Sequence, residues 1–294
     1  MLESLICFNA GLSGALGAME GMLSRVAYAE SGDKKLYASD WSGWNWNQYG
    51  DGLALGDPFE SCAIAALDNT TVALSDYHGG KLSTYQLSNA GWTRVGLQLT
   101  ITGLGVPAMA ALDGSNIAFI CSLSSVLRKY HWDGVQWSSV GYALTVSPSI
   151  GMPAMAAINS TDIALVGGQS DTLTRYHFNG SEWSAVGSPL SISGLSSASI
   201  AKMGGDYVAM VRSPERTLQM YQWNGATWVA VGSSFSIGTS GSYSSICALN
   251  DTDVAVIGLG QLRAFKWSGS AWVAAERYTT IPSMGAFTCI TTLE

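Results

Sequence analysis

The chain has 294 residues, enough for one large all-β domain or two ordinary ones. Apolar types (47%) far outweigh charged ones (12%), the reverse of a disordered composition. Its 14 Lys and Arg are spread thinly in a chain of net charge −7, which argues against a phosphate-tracking face and a nucleic-acid partner.

Residues 1–23 (MLESLICFNAGLSGALGAMEGML) are mostly apolar and uninterrupted by turns. The stretch is too short for a membrane span, and Glu3 stands where a signal peptide wants positive charge. No basic amphipathic stretch suggests membrane-surface binding. We read residues 1–23 as an arm that buries Leu5, Ile6, Cys7, Phe8, Leu12 and Leu16. The arm packs against its own domain or, the preferred reading, anchors the chain to a neighbouring one.

From Leu36 onward one pattern recurs six times: Leu-x-x-Tyr-x-Trp-x-Gly-x-x-Trp-x-x-Val-Gly. Clear copies start at Leu127 (LRKYHWDGVQWSSVG), Leu173 (LTRYHFNGSEWSAVG) and Leu218 (LQMYQWNGATWVAVG), and looser ones at Leu36, Leu82 and Leu262. The starts lie 44–46 residues apart, a period that signals a propeller, a solenoid or an array.

The third copy shows the strands of one unit. Met109–Leu112 is a short apolar run, 113–116 (DGSN) a turn, and 117–120 (IAFI) a second strand. After a variable loop, 126–132 alternates, Asp133-Gly134 signals a tight turn, and 135–140 gives a fourth strand. Four short strands per unit is the signature of a propeller blade. Helical repeats of this length would need a 3.6-residue period and good helix formers, which are absent.

The first strand of each unit also recurs: IAAL at Ile64, MAAL at Met109, MAAI at Met155, IAKM at Ile200, ICAL at Ile246 and ITTL at Ile290. Lys202 breaks the set. It points into an axial channel or, as a strand-end lysine, to water. The chain ends on such an inner strand, FTCITTLE, whereas RVAYAESGDKKL (25–36) aligns with a second strand and its loop. The C-terminal strand is therefore expected to pair with the strand at Val26–Ala29, closing six blades into a ring without raw edges. The competing register makes 16–23 an inner strand and FTCITTLE a surplus or seventh-blade piece. The preferred architecture is all-β: residues 24–294 form a six-bladed β-propeller of four-stranded antiparallel blades, closed by its terminal strands.

Most apparent motifs are absorbed by this repeat. Of 11 tryptophans only Trp44 falls off the pattern, so the others are read as packing between twisted sheets rather than as a sugar platform. The five cysteines are odd in number and show no CxxC spacing, so they are read as small buried hydrophobes rather than a disulfide framework. His131 and His177 occupy equivalent positions without converging ligands, and no metal is expected. Asp68, Asp113, Asp162, Asp251 and Asp253 sit near turns and are read as hairpin caps. The Asn-x-Ser/Thr sequons at Asn69, Asn159, Asn179 and Asn250 also fall at turns and are read as incidental.

Variation marks the candidate binding surface. The loops between second and third strands differ among units, and with the links between blades they should line one face of the disc. There we place Lys34, Lys35, Asp76, His78, Lys81, Asp171, Arg212, Glu215 and Arg216, with Trp44 as the one tryptophan to test for a contact. Loops on a rigid scaffold are the usual site of binding.

The copies resemble tandem-repeat β-propellers of the broad WD-repeat and lectin type over residues 26–294. No Trp-Asp closes a strand and no Gly-His opens a blade, unlike WD-repeats. Resemblance to fucose-binding six-bladed lectins implies an Arg, a Glu and an aromatic residue at each inter-blade site, and no such trio recurs. The blade motif with its Thr161–Leu165 strand (TDIAL) is loosely similar to uncharacterised propellers of bacteriophage and bacterial surface proteins. We therefore expect a non-enzymatic module at a virion or extracellular surface: a decoration, adaptor or host-recognition disc held to other virion or surface proteins by its arm. A glycan-binding lectin with a host surface glycan as partner is the alternative. A glycosidase or lyase with carboxylates at the channel mouth is the third reading. No cofactor and no membrane span are expected.

Overall fold

The computed structural model describes residues 24–30, 32–42, 46–56, 61–76, 80–103, 105–146, 150–167, 170–213, 215–238, 245–258, 260–280 and 288–293. The arm with Leu5, Ile6, Cys7, Phe8, Leu12 and Leu16 lies outside the described residues, as do Trp44 and His78. No described helix is long and apolar enough to cross a membrane.

Strands form because β-branched and aromatic residues alternate with small ones between Gly, Asn and Asp turns. They assemble into six antiparallel sheets. Blade 1 contains β1 (Ser24–Glu30), β2 (Lys35–Trp41) and β3 (Trp46–Gln48), with β4 (Leu53–Ala54) also on β2. Blades 2 to 6 hold β5–β8 (within 62–100), β9–β12 (107–145), β13–β16 (153–191), β17–β20 (197–236) and β21–β24 (245–280), each in meander order. The last strand, β25 (Thr288–Leu293), returns to blade 1 and pairs antiparallel with β1. The terminal strands thus share one blade, and the competing register falls.

The inner strands β5 (Cys62–Ala66), β9 (Pro107–Ala111), β13 (Pro153–Ala157), β17 (Ser197–Lys202), β21 (Ser245–Ala248) and β25 each pack on the next, and β25 packs on β5. The ring is closed. Its core lies between blades: each of six buried clusters mixes side chains of two adjacent sheets, as where Trp223 and Trp228 of blade 5 pack with Ala164 and Val166 of blade 4. The repeat tryptophans flank the outer hairpin turns and in blades 1, 3, 5 and 6 meet in tilted or edge-on pairs, such as Trp132 and Trp137 with ring centroids 5.3 Å apart. Their place is packing.

Outer strands run further than the sequence pattern indicates. The fourth strand of blade 3, β12 (Trp137–Thr145), continues past its Val-Gly through a register shift against β11 (Val126–Trp132). Gly141 sits at the shift with φ +67°, a left-handed value that favours glycine. The strand turns toward the next blade, and Tyr142 N–H donates to Ser181 O (2.6 Å). Leu97 donates likewise to Val135 O (2.7 Å), Ser188 to Ala226 O (2.8 Å) and Ser233 to Ser270 O (3.2 Å). The Val-Gly of the repeat is therefore a docking device between blades. Blade 1 departs from it: a Cβ on Gly50 would meet nothing, and blade 6, its other neighbour, carries Glu276 at the glycine position.

One cysteine expectation is corrected. Cys62 at the start of β5 and Cys289 in β25 form a disulfide, with Cα atoms 5.9 Å apart. Ring closure brings them together from opposite ends of the chain, which no local spacing could reveal. The bond crosses the junction of blades 1 and 2, where the glycine docking is missing. Cys121 and Cys247 are buried thiols, as expected.

Candidate functional site

Each blade runs its inner strand away from one face of the disc, so the loops between second and third strands and the links between blades share that face. The sequences of these loops differ among units. Their backbones instead repeat. The residue two positions before each repeat Leu has positive φ in all six blades: Lys34 (57°), Gly80 (57°), Ser125 (48°), Asp171 (49°), Arg216 (53°) and Gly260 (71°). For a non-glycine residue this conformation costs about 1–2 kcal/mol. In five blades its carbonyl accepts from the residue at the far end of the outer strand: Leu55 (2.8 Å), Ile101 (2.7 Å), Val146 (2.8 Å), Ile192 (2.7 Å) and Ile237 (2.9 Å). One backbone conformation thus recurs in six blades, locked by this hydrogen bond in five, and is occupied by Lys, Gly, Ser, Asp or Arg. Two glycines among the six were the trace of it in the sequence, and Ser125, Gly80 and Gly260 were missed as members of the set.

Of the sequence-predicted residues, Asp171, Arg212, Glu215 and Arg216 come together around the link 192–196 between blades 4 and 5. Asp171 Oδ1 accepts from Leu195 N–H (2.9 Å), and Arg212 Nη2 donates to Ser193 O (3.2 Å) and Glu215 Oε1 (3.4 Å). Arg216 N–H donates to Arg212 O (2.8 Å). The Nε atoms of Arg212 and Arg216 are buried and have no acceptor among the described residues. Lys34 and Lys35 stand on blade 1, away from this cluster, and Asp76 and Lys81 lie opposite each other on blade 2. Lys81 and Glu215 are exposed; the other described candidates are half-buried.

The opposite face is built from hairpin turns capped by side chains: Asp68 and Asp113 cap as expected, whereas in blades 4 and 6 the caps are Asn159 and Asn250 in place of the expected Asp162, Asp251 and Asp253. Asp68 Oδ1 accepts from Thr70 N–H (2.7 Å), Asp113 Oδ1 from Asn116 N–H (2.8 Å), and Asn159 and Asn250 Oδ1 from the backbone of Asp162 and Asp253 (2.8 and 2.9 Å). Asn179 caps the outer turn of blade 4 through Ser181 N–H (2.9 Å). His177 Nδ1 lies 3.1 Å from Asp162 Oδ1, with Arg175 Nη2 3.4 Å from Oδ2. Among the described residues no group of three His, Cys, Asp or Glu is placed to hold a metal.

The chain is a six-bladed β-propeller. No family model and no curated protein matches it. Solved structures share its fold at low identity. The fucose-recognising six-bladed lectin of Aleuria aurantia is 17% identical, with 90% of this chain and 97% of that one covered and a TM-score of 0.58. A protein from Lactobacillus plantarum is 13% identical, over 93% of this chain and 100% of that one, at TM-score 0.64. A candidate 6-phosphogluconolactonase from Bacteroides fragilis is 9% identical, over 92% and 98%, at TM-score 0.62. A lectin and a candidate enzyme on one scaffold show why architecture alone does not assign chemistry.

Proposed function

We propose that this propeller is a non-enzymatic binding module that recognises a surface glycan through its loop face. One observation carries the reading: six loops share one positive-φ conformation, locked by the same backbone hydrogen bond in five, while their sequences differ from blade to blade. A rigid frame bearing variable polar chemistry is what recognition needs. Arg212 and Arg216, joined by a backbone hydrogen bond in one loop of that face, carry guanidinium donors that suit a ligand rich in oxygen acceptors. A fucose-recognising lectin shares the fold, which is consistent with a sugar as the partner.

The setting we propose is an extracellular or virion surface, with residues 1–23 attaching the disc to a neighbouring protein. The Cys62–Cys289 disulfide supports an oxidising compartment, and the blade motif's resemblance supports the virion setting.

A glycan array with the full chain tests the reading. A glycan signal that falls at least about tenfold in Arg212→Ala and Arg216→Ala, the weight of one charge-assisted hydrogen bond, is expected. Silence across the array, or signals indifferent to both substitutions, would overturn it. Deleting residues 1–20 should leave a folded disc that binds the same glycan and no longer joins its assembly.

A further inference from the structure

The axial channel has a second end, away from the loop face. On each inner strand the first large residue of the recurring pattern faces the axis: Ile64, Met109, Met155, Ile200, Ile246 and Ile290. These six line both cavities of the channel, one at each end. They therefore form an apolar waist between them. On the loop-face side the cavity is small, about 160 Å³. On the turn side it opens to about 500 Å³, within the roughly 300–1,000 Å³ common for small-molecule sites.

Two residues further along a strand the side chain returns to the same face. That position lines the wide cavity in every blade: Ala66, Ala111, Ala157, Lys202, Ala248 and Thr292. Five blades close the ring with Ala or Thr there, so packing does not require a lysine in the sixth. The lysine is half-buried, and a charged group removed from water costs free energy unless compensated. Its Nζ donates to Met203 O (2.7 Å), which uses one of three donors. Among the described residues no carboxylate lies within ion-pair distance of it.

We propose that the wide end of the channel binds a small organic monoanion with an apolar body, its carboxylate on the Lys202 ammonium and its hydrocarbon on the six-residue waist. The rim sets the charge limit. Asp68, Asp113 and Asp251 border the cavity. The Asp68 and Asp113 carboxylates are fixed by their own turns, so they repel polyanions without reaching Lys202. A single negative charge at Lys202, with an uncharged remainder reaching the waist, satisfies both groups.

The probe is hexanoate, with hexanamide as its uncharged counterpart. In the full chain with methyl-labelled methionine, the Met109 and Met155 methyl resonances, assigned by Met→Leu variants, should move on adding hexanoate. Lys202→Met should weaken hexanoate at least about tenfold, as should replacing hexanoate by hexanamide, each removing one charge-assisted contact. Lys202→Ala places at this position the residue that four other blades carry, so one variant remains folded if the other does not. Methionine methyls that stay still, or a hexanoate response unchanged in both variants, would overturn the proposal. Neither outcome touches the loop-face reading, whose arginines stand at the other end of the disc.

Discussion

Ala27 of the first described strand and Thr291 of the last lie directly opposite one another in the antiparallel ladder of blade 1. Every other blade is a local meander, so this pairing alone turns a row of sheets into a ring. Thr291 also binds forward, its Oγ1 accepting from Ala66 N–H of blade 2 (3.3 Å), and Thr292 Oγ1 donates to Ala248 O of blade 6. The closing strand is held by its own blade and by both neighbours.

Removing residues 288–294 should therefore destabilise the whole disc rather than one edge. Ile290 and Leu293 are buried, and each such side chain contributes about 2–5 kcal/mol. At about 2–4 °C per kcal/mol for large domains, calorimetry should show a melting temperature lower by more than about 8 °C. A truncated chain that melts with the full one would mean that closure contributes nothing.

The disulfide reinforces the same seam. Cys62 and Cys289 are 227 residues apart in sequence, and a cross-link over a long loop stabilises by about 2–4 kcal/mol, chiefly by restricting the unfolded chain. The double variant Cys62→Ser/Cys289→Ser should lose that amount in denaturant titration. Reductant should lower the wild-type midpoint and leave the variant's unmoved. Thiol titration of the unfolded chain should count two more thiols after reduction than before it.

The blade was legible because its Trp, Gly and Asx residues do the same packing and capping work every 44–46 residues. Closure was legible because the C-terminal segment matched an inner strand and the N-terminal one a second strand. The disulfide was not, since its partners meet only once the ring exists. Nor was the loop lock. A positive φ is occupied here by Lys, Gly, Ser, Asp and Arg, and no residue type marks it when the surrounding hydrogen bonds enforce it. The outer bulge was hidden differently: its glycine was visible in every clear copy, but what it approaches belongs to the next blade. Lys202 was legible as an exception, while the cavity beneath it needed all six strands in place.

Two glycines of one blade separate conformational cost from contact cost. Gly180 (φ +100°) has open space around a would-be Cβ, whereas a Cβ on Gly187 (φ +65°) would collide with the Ala226 carbonyl and the Trp223 ring of the next blade. Gly180→Ala should cost about 1–2 kcal/mol, the left-handed penalty alone. Gly187→Ala should add about 1–3 kcal/mol for overpacking. Equal losses for the two in chemical denaturation would show that the Val-Gly of the repeat does not dock blades.

Acid should expose the turn face first. Burial pushes the Asp162 carboxyl up, but the Asn159 hydrogen bond, the Arg175 hydrogen bond and charge, and the His177 contact outweigh it, and its pKa lies below the ordinary carboxylate value. Asp68 and Asp113 are lowered in the same way, burial opposing the hydrogen bonds of their own turns and losing. A group with a depressed folded pKa contributes stability above its unfolded value, about 3.9 for Asp, and loses it as pH falls through the folded value. Denaturation midpoints should thus be level from neutral pH to about 5 and fall steadily below about 4. Asp162→Asn should begin lower at neutral pH, because Arg175 loses one of its two carboxylate partners and keeps only Asp206, and fall less on acidification. An acid slope identical to that of the wild type would show that the Asp162–Arg175–His177 group takes no part in it.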